Sequence, residues 1–183
     1  MLLFDAHLDL SMNALDWNRD LSQPLEAVRA REKGQTDKPD RGRGGVSFEE
    51  MRRGNIGLCV APQIARYVAP DNPLPGWHSP AQAWAQTQGQ LAWYKAMEAQ
   101  GELLQITDLA QLQAHLTLWQ GAEDRSRLPI GYILSLEGAD SLRSLDHLGI
   151  AYADGLRALG PVHYGPGRYA HGTDASAPLN AQG

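Results

Sequence analysis

Cysteine is almost missing from this chain, with one in 183 residues. Without a second thiol there is no internal disulfide framework and no thiolate zinc site. Cys59 lies in an apolar run and reads as buried filler. Long hydrophobic runs are missing too: none approaches the ~20 residues that span a bilayer. The apolar start, Met1 to Phe4, meets Asp5 too early for a signal peptide. Positive charge is also in short supply, 16 Lys and Arg standing against 21 Asp and Glu for a formal net charge of -5. Neither nucleic acid nor an anionic membrane is then an expected partner. The one basic cluster, Arg29, Arg31, Lys33, Lys38, Arg41 and Arg43, is interleaved with Glu32, Asp37 and Asp40 and reads as a solvated loop. There are no repeats and no low-complexity tract. A cytoplasmic chain is expected, and 43% hydrophobic with 20% charged residues is enough apolar material for a packed core rather than disorder.

What is present is a series of apolar runs separated by helical signals. The start of the chain reads as a buried strand. Residues 20–45 are polar and glycine-rich around a helical candidate at 24–31, and read as a long excursion over the mouth of a barrel. Ser47-Phe48-Glu49-Glu50 is a capping box, with Ser47 capping and Glu50 reaching back, for a helix at 48–53 that stops at Gly54. Residues 56–61 form a second buried strand, and the proline-rich stretch 62–78 a loop. Ser79-Pro80-Ala81-Gln82 opens a helix to Gln100, with Trp84, Leu91 and Tyr94 facing the core. Residues 103–106 read as a short strand outside the barrel. Thr107 is expected to cap a helix whose Leu109, Leu112, Leu116 and Trp119 turn inward, leaving His115 exposed and inert. A buried strand at 129–138, a short helix at 141–147 and a strand at 154–163 follow. Residues 174–183 stay polar without forming an element.

Chemistry gathers at the strand ends. On extended backbone, side chains two residues apart point the same way, so His7 and Asp9 can grip one ion. Glu137 closes a later apolar strand with Gly138 after it to let the chain turn, and His163 closes the last. In parallel α/β barrels catalysis sits at this C-terminal mouth, and the pattern points to a metal-dependent hydrolase. A closed barrel needs eight strands and about 250 residues. Four barrel strands make half of one, with two open edges that need covering.

In order and spacing these pieces resemble the N-terminal half of the membrane (renal) dipeptidase family of zinc peptidases, related to the amidohydrolases. Asp5-Ala6-His7-Leu8-Asp9-Leu10 is similar to the family's opening D-x-H-x-D. Gly44-Gly45-Val46 is similar to its early glycine-rich loop, and Leu136-Glu137-Gly138 to its strand-end glutamate. The run from Gly155 to His163 is similar to its strand ending in Thr-His. The fold implied is α/β, a TIM-like (β/α)8 barrel of which only the N-terminal half is present. The resemblance implies His7 and Asp9 as ligands of one zinc and Glu137 as the bridge to a second. Two later histidines complete that second zinc in the family, and a later Asp handles the proton. His163 matches the histidine that contacts substrate near the scissile carbonyl. With three of five metal ligands, the chain alone is expected to hold at most one metal weakly and to be inactive, its catalytic residues belonging to the second half. His plus carboxylate donors also suit manganese, iron or cobalt.

Val162 stands where the family has Thr, and residues 164–169 differ from its Asn-containing loop, which bears on substrate preference. His171 is not recruited to the site. The expected substrate is a dipeptide, including those with a D-residue on the C-terminal side, and the expected assembly a homodimer. The alternatives are an amidohydrolase acting on N-acyl amino acids or cyclic amides, and a non-catalytic fragment pairing its strand edges with another copy or a missing half.

Overall fold

The computed structural model describes residues 1–70 and 74–173, so the expectation for 174–183 lies outside the described residues. The elements run β1 (Leu3–Asp5), α1 (Leu10–Leu15), α2 (Leu25–Arg31), α3 (Phe48–Arg53), β2 (Ile56–Gln63), α4 (Pro80–Ala99), β3 (Leu103–Gln105), α5 (Leu109–Gly121), β4 (Ile130–Glu137), α6 (Leu145–Ala153) and β5 (Leu156–Gly160). Every strand pairing is parallel. The sheet runs β1-β2-β4, and β3 and β5 share the far side of β4. β3 pairs with its beginning, Leu103 opposite Ile130, and β5 with its end, Glu137 opposite Gly160. Among the described residues the five-stranded sheet does not close on itself. The segment 103–106, expected outside the barrel, therefore belongs to the sheet. A strand this short borrows its definition from the longer neighbour.

β2 and β4 are buried on both faces, as their unbroken apolar runs require. Alternation on β4 puts Tyr132, Leu134 and Leu136 on one face and Glu137 on the other. On the first face Tyr94 of α4 stacks on Tyr132, ring centroids 4.9 Å apart and planes 17° apart. Phe48, Met51, Cys59, Ile130, Trp119 and Leu156 join the same core. Burial pushes the Cys59 thiol up to about 12, in keeping with a packing role.

Local chemistry sets the helix starts, not always as expected. Ser47 Oγ accepts from Glu50 N at 3.3 Å, but the Glu50 carboxylate pairs with Arg53 rather than reaching back. Ser79 Oγ accepts from Gln82 N at 3.2 Å, with Pro80 in the first turn. α5 is capped by Asp108 and not Thr107: its Oδ1 accepts from Gln111 N at 2.8 Å, and a carboxylate suits the positive helix end better than a hydroxyl. Thr107 is tied in one step back, its N–H and hydroxyl both on Gln111 Oε1.

α5 is also rotated from its expected phase. Leu109 is 66% exposed while His115 is 1% exposed, so the inward stripe is the buried His115 and Trp119 with half-buried Leu112 and Leu116 beside them. His115 Nε2 lies 2.7 Å from Gly57 O and 3.2 Å from Gly131 N. Gly131 makes this possible, because a Cβ there would stand 2.6 Å from His115 Nε2.

Two helices differ from expectation outright. α1 had no sequence signal, since Asp9 makes no side-chain cap. Residues 138–144 form turns, with Ser141 and Leu142 buried, and α6 begins only after Ser144. β5 stops at Gly160, leaving His163 beyond the strand instead of on it. Nor is the basic cluster simply solvated: the Glu32 and Arg41 side chains are 4% and 8% exposed and paired at 2.8 Å. No helix among the described residues is long and apolar enough to cross a membrane.

Candidate metal centre

β1 ends at Asp5, so His7 and Asp9 do not stand on strand backbone. Leu8 N still bonds to Val60 O at 2.9 Å, which holds the segment against β2. Leu10 N then closes on Leu8 O at 2.8 Å around Asp9, at φ -73° and ψ 61°. These are the angles of an inverse γ-turn. The turn, not strand alternation, brings His7 Nε2 to 3.4 Å from Asp9 Oδ1.

β4 delivers Glu137 to the same place. Its Oε2 lies 3.2 Å from His7 Nε2, and its Oε1 lies 2.8 Å from His163 Nδ1. One carboxylate thus divides its two oxygens between two imidazoles. The turn after it uses Gly138 at φ +81°, a conformation that costs glycine little. Glu137 therefore meets imidazoles and caps no helix. His163, on the loop after β5, packs tilted against Tyr164, with ring centroids 4.1 Å and planes 59° apart. All four residues named from the sequence converge: His7 and Asp9 lie just past β1 as expected, though on a turn and not on extended backbone, Glu137 ends β4, and His163 lies beyond the strand expected to carry it.

His7, Asp9 and Glu137 each offer one ligand atom, and these atoms lie within 4.8 Å of one another. Asp9 Oδ1 is buried with no hydrogen-bond partner. A buried carboxylate oxygen left without a donor is costly, and a divalent cation is the species that relieves it. One imidazole and two carboxylates form a donor set that suits zinc. His171 is not part of this cluster.

Sequence reasoning missed three supports of the site. Asp5 Oδ1 accepts from His7 N at 3.0 Å, an Asx turn whose signal, Asp two residues ahead of the ligand, was there to read. Ser11, fully buried, sends its hydroxyl to Pro62 O at 3.1 Å, which Tyr94 also reaches at 3.1 Å. This ties the start of α1 to the end of β2. Asn13 holds the Asp9 carbonyl from α1. No local pattern marks Ser11 or Asn13.

A parallel α/β sheet gathering carboxylates and imidazoles at its strand ends defines the class of protein. Comparison with protein-family models gives no match, and comparison with curated proteins gives none either. Among solved structures the chain is similar to a dipeptidase described as a metallopeptidase of family M19. That likeness has a TM-score of 0.66 at 22% identity, over 100% of this chain and 51% of that one. It is also similar to the probable dipeptidase PvdM from Pseudomonas aeruginosa, with a TM-score of 0.59 at 15% identity, over 93% of this chain and 37% of that one. The likeness is one of fold, and the chain spans about half the length, or less, of these structures. The chain thus shares its fold with dipeptidase structures.

Proposed function

We propose that the chain forms the first-metal portion of a metal-dependent dipeptidase, its sheet being the opening part of a TIM-like (β/α)8 barrel and its substrate a dipeptide. His7 and Asp9 hold the cation from the turn after β1, and Glu137 holds it from the end of β4. Zinc in this place supplies Lewis acidity, which polarises a carbonyl and makes water acidic near neutral pH. Glu137 keeps one oxygen on His163, orienting that imidazole through Nδ1 and leaving Nε2 to meet the substrate near the scissile bond. The likeness to dipeptidase structures favours dipeptides over N-acyl amino acids or cyclic amides. Hydrolysis belongs to a form in which further strands continue the sheet and bring the remaining donors.

The observation that carries this reading is the convergence of His7 and Asp9 with the distant Glu137, where a buried Asp9 oxygen makes no hydrogen bond and has His7 Nε2 3.4 Å away. Zinc titration of the purified chain tests it. One equivalent is expected to bind, and His7→Ala and Glu137→Gln are each expected to weaken binding by about tenfold or more. A wild-type chain without zinc affinity overturns the proposal. Cleavage of N-acyl amino acids but not dipeptides, by a form carrying the further strands, overturns the substrate assignment alone.

A further inference from the structure

The orientation of Asp9 rests on a single turn followed by a six-residue helix with no side-chain cap. A helix that short has little stability of its own. Something outside the turn must therefore hold it. The Asp9 carbonyl accepts two hydrogen bonds, from Asn13 N at 3.0 Å and from Asn13 Nδ2 at 2.9 Å. Together they fix the peptide plane after Asp9 and so the direction of its Cα–Cβ bond.

Asn13 is itself held. Its Oδ1 accepts from Arg19 Nη1 at 2.7 Å, which leaves its amide one orientation, with the nitrogen toward Asp9. Arg19 is 7% exposed and forks onto Glu32 through Nε at 2.7 Å and Nη2 at 3.2 Å. Nη2 also reaches Asp40 O at 3.0 Å. Glu32 collects Arg41 Nη1 at 2.8 Å and Gly42 N at 2.7 Å, and Arg41 extends to Trp17 O and Asp37. Gly44 lets the returning loop lie against the guanidinium, since a Cβ there would stand 3.2 Å from Arg19 Cζ. An unbroken series of hydrogen bonds thus runs from the loop at 32–42 to the backbone of a candidate metal ligand.

Buried ion pairs contribute little net stability compared with apolar packing of the same volume. Their strength is in fixing geometry, and this one ends on Asp9. We propose that Asn13, backed by Arg19 and Glu32, is a positioning residue that sets the Asp9 carboxylate for metal binding, so that the 32–42 loop clamps the metal centre from behind. The inference rests on the metal-binding reading of His7, Asp9 and Glu137.

The test is zinc affinity by chelator competition and the visible absorption spectrum of the cobalt(II)-loaded chain, on wild type, Asn13→Ala and Asn13→Asp. Asn13→Asp keeps an acceptor for Arg19 and the backbone bond to the Asp9 carbonyl but removes the side-chain donor, so it separates holding the fold from aiming the ligand. Both variants are expected to lose zinc affinity by about tenfold or more and to shift the cobalt spectrum. The metal-free melting temperature of Asn13→Asp is expected to stay within a few degrees of wild type. A folded variant with wild-type affinity and spectrum overturns the proposal. So does loss of the metal-free fold in both variants, because Asn13 would then hold the fold rather than Asp9. A wild-type chain that binds no zinc removes the metal reading itself and is recognised before any variant is made.

Discussion

Glu32 shows how far one residue can depart from its neighbourhood in the sequence. It lies in a polar, charge-rich stretch, yet its side chain is 4% exposed and receives two guanidinium groups. The Arg19 hydrogen bonds, then those of Gly42 and Arg41, outweigh the cost of burial and hold its carboxyl down to about 2 from an ordinary 4.5. A folded-state value below the unfolded one contributes stability in full above pH 4.5, and this is lost as pH falls toward 2. Urea unfolding across that window is expected to show a steeper acid loss for wild type than for Glu32→Gln, whose stability is lower at neutral pH and flatter in acid. His115 adds loss at a higher window. Burial lowers its pKa from 6.5, with the Gly57 hydrogen bond opposing. The unfolded chain therefore takes up the proton first, and stability falls as pH drops below 6.5. His7 and Asp9 were legible because they are close in sequence. Asn13 and Arg19 were not, because nothing nearby announces what a single side chain will bond to.

At the scale of elements, caps and apolar runs were the dependable signals. α3 and α4 begin after the expected serines, and β2 and β4 occupy the expected runs, because a cap needs only three residues and a buried strand only its own apolar composition. α5 shows the limit, with two possible caps side by side. Asp108→Ala is expected to cost about 1 kcal/mol in chemical denaturation and Thr107→Ala less, since the Asp108 carboxylate takes the Gln111 amide. The reverse order would return the cap to Thr107. The phase of α5 is not fixed by the sequence, because three leucines and a tryptophan at helical spacing leave open which flank is buried. The space beside Gly131 decides for His115. α1 and α6 owe their bounds to packing: α1 is anchored by buried Ser11, and the turn before α6 by Asp140, which accepts Arg168 N at 2.7 Å.

For the molecule as a whole, the proposed metal site would link metal binding to folding. The proposed donors come from the turn after β1 and from β4, so a cation held between them would tie the β1 edge of the sheet to β4 across β2 and bind the folded state only. Free zinc at a hundredfold excess over its dissociation constant adds about 2.7 kcal/mol. The chain is accordingly expected to melt several degrees higher with zinc and to return to its metal-free value on adding chelator. His7→Ala, binding at least tenfold more weakly, should gain no more than about half as much, about 1.4 kcal/mol at the same zinc concentration. Equal rises for wild type and His7→Ala would place the bound zinc elsewhere.

The sequence by itself determined what depends on near neighbours: the buried strands, the starts of α2, α3 and α4, the absence of a disulfide framework, and the kinds of donor at the strand ends. Tertiary structure alone decided that β3 joins the sheet, that His115 turns inward, that a charged loop buries Glu32, and that His7 meets Glu137. The physical reason is range. Caps and apolar periodicity act over a turn or a strand. Strand partnership, helix phase and the partners of a buried charge depend on which distant surfaces come together, and that is fixed only when the whole chain packs.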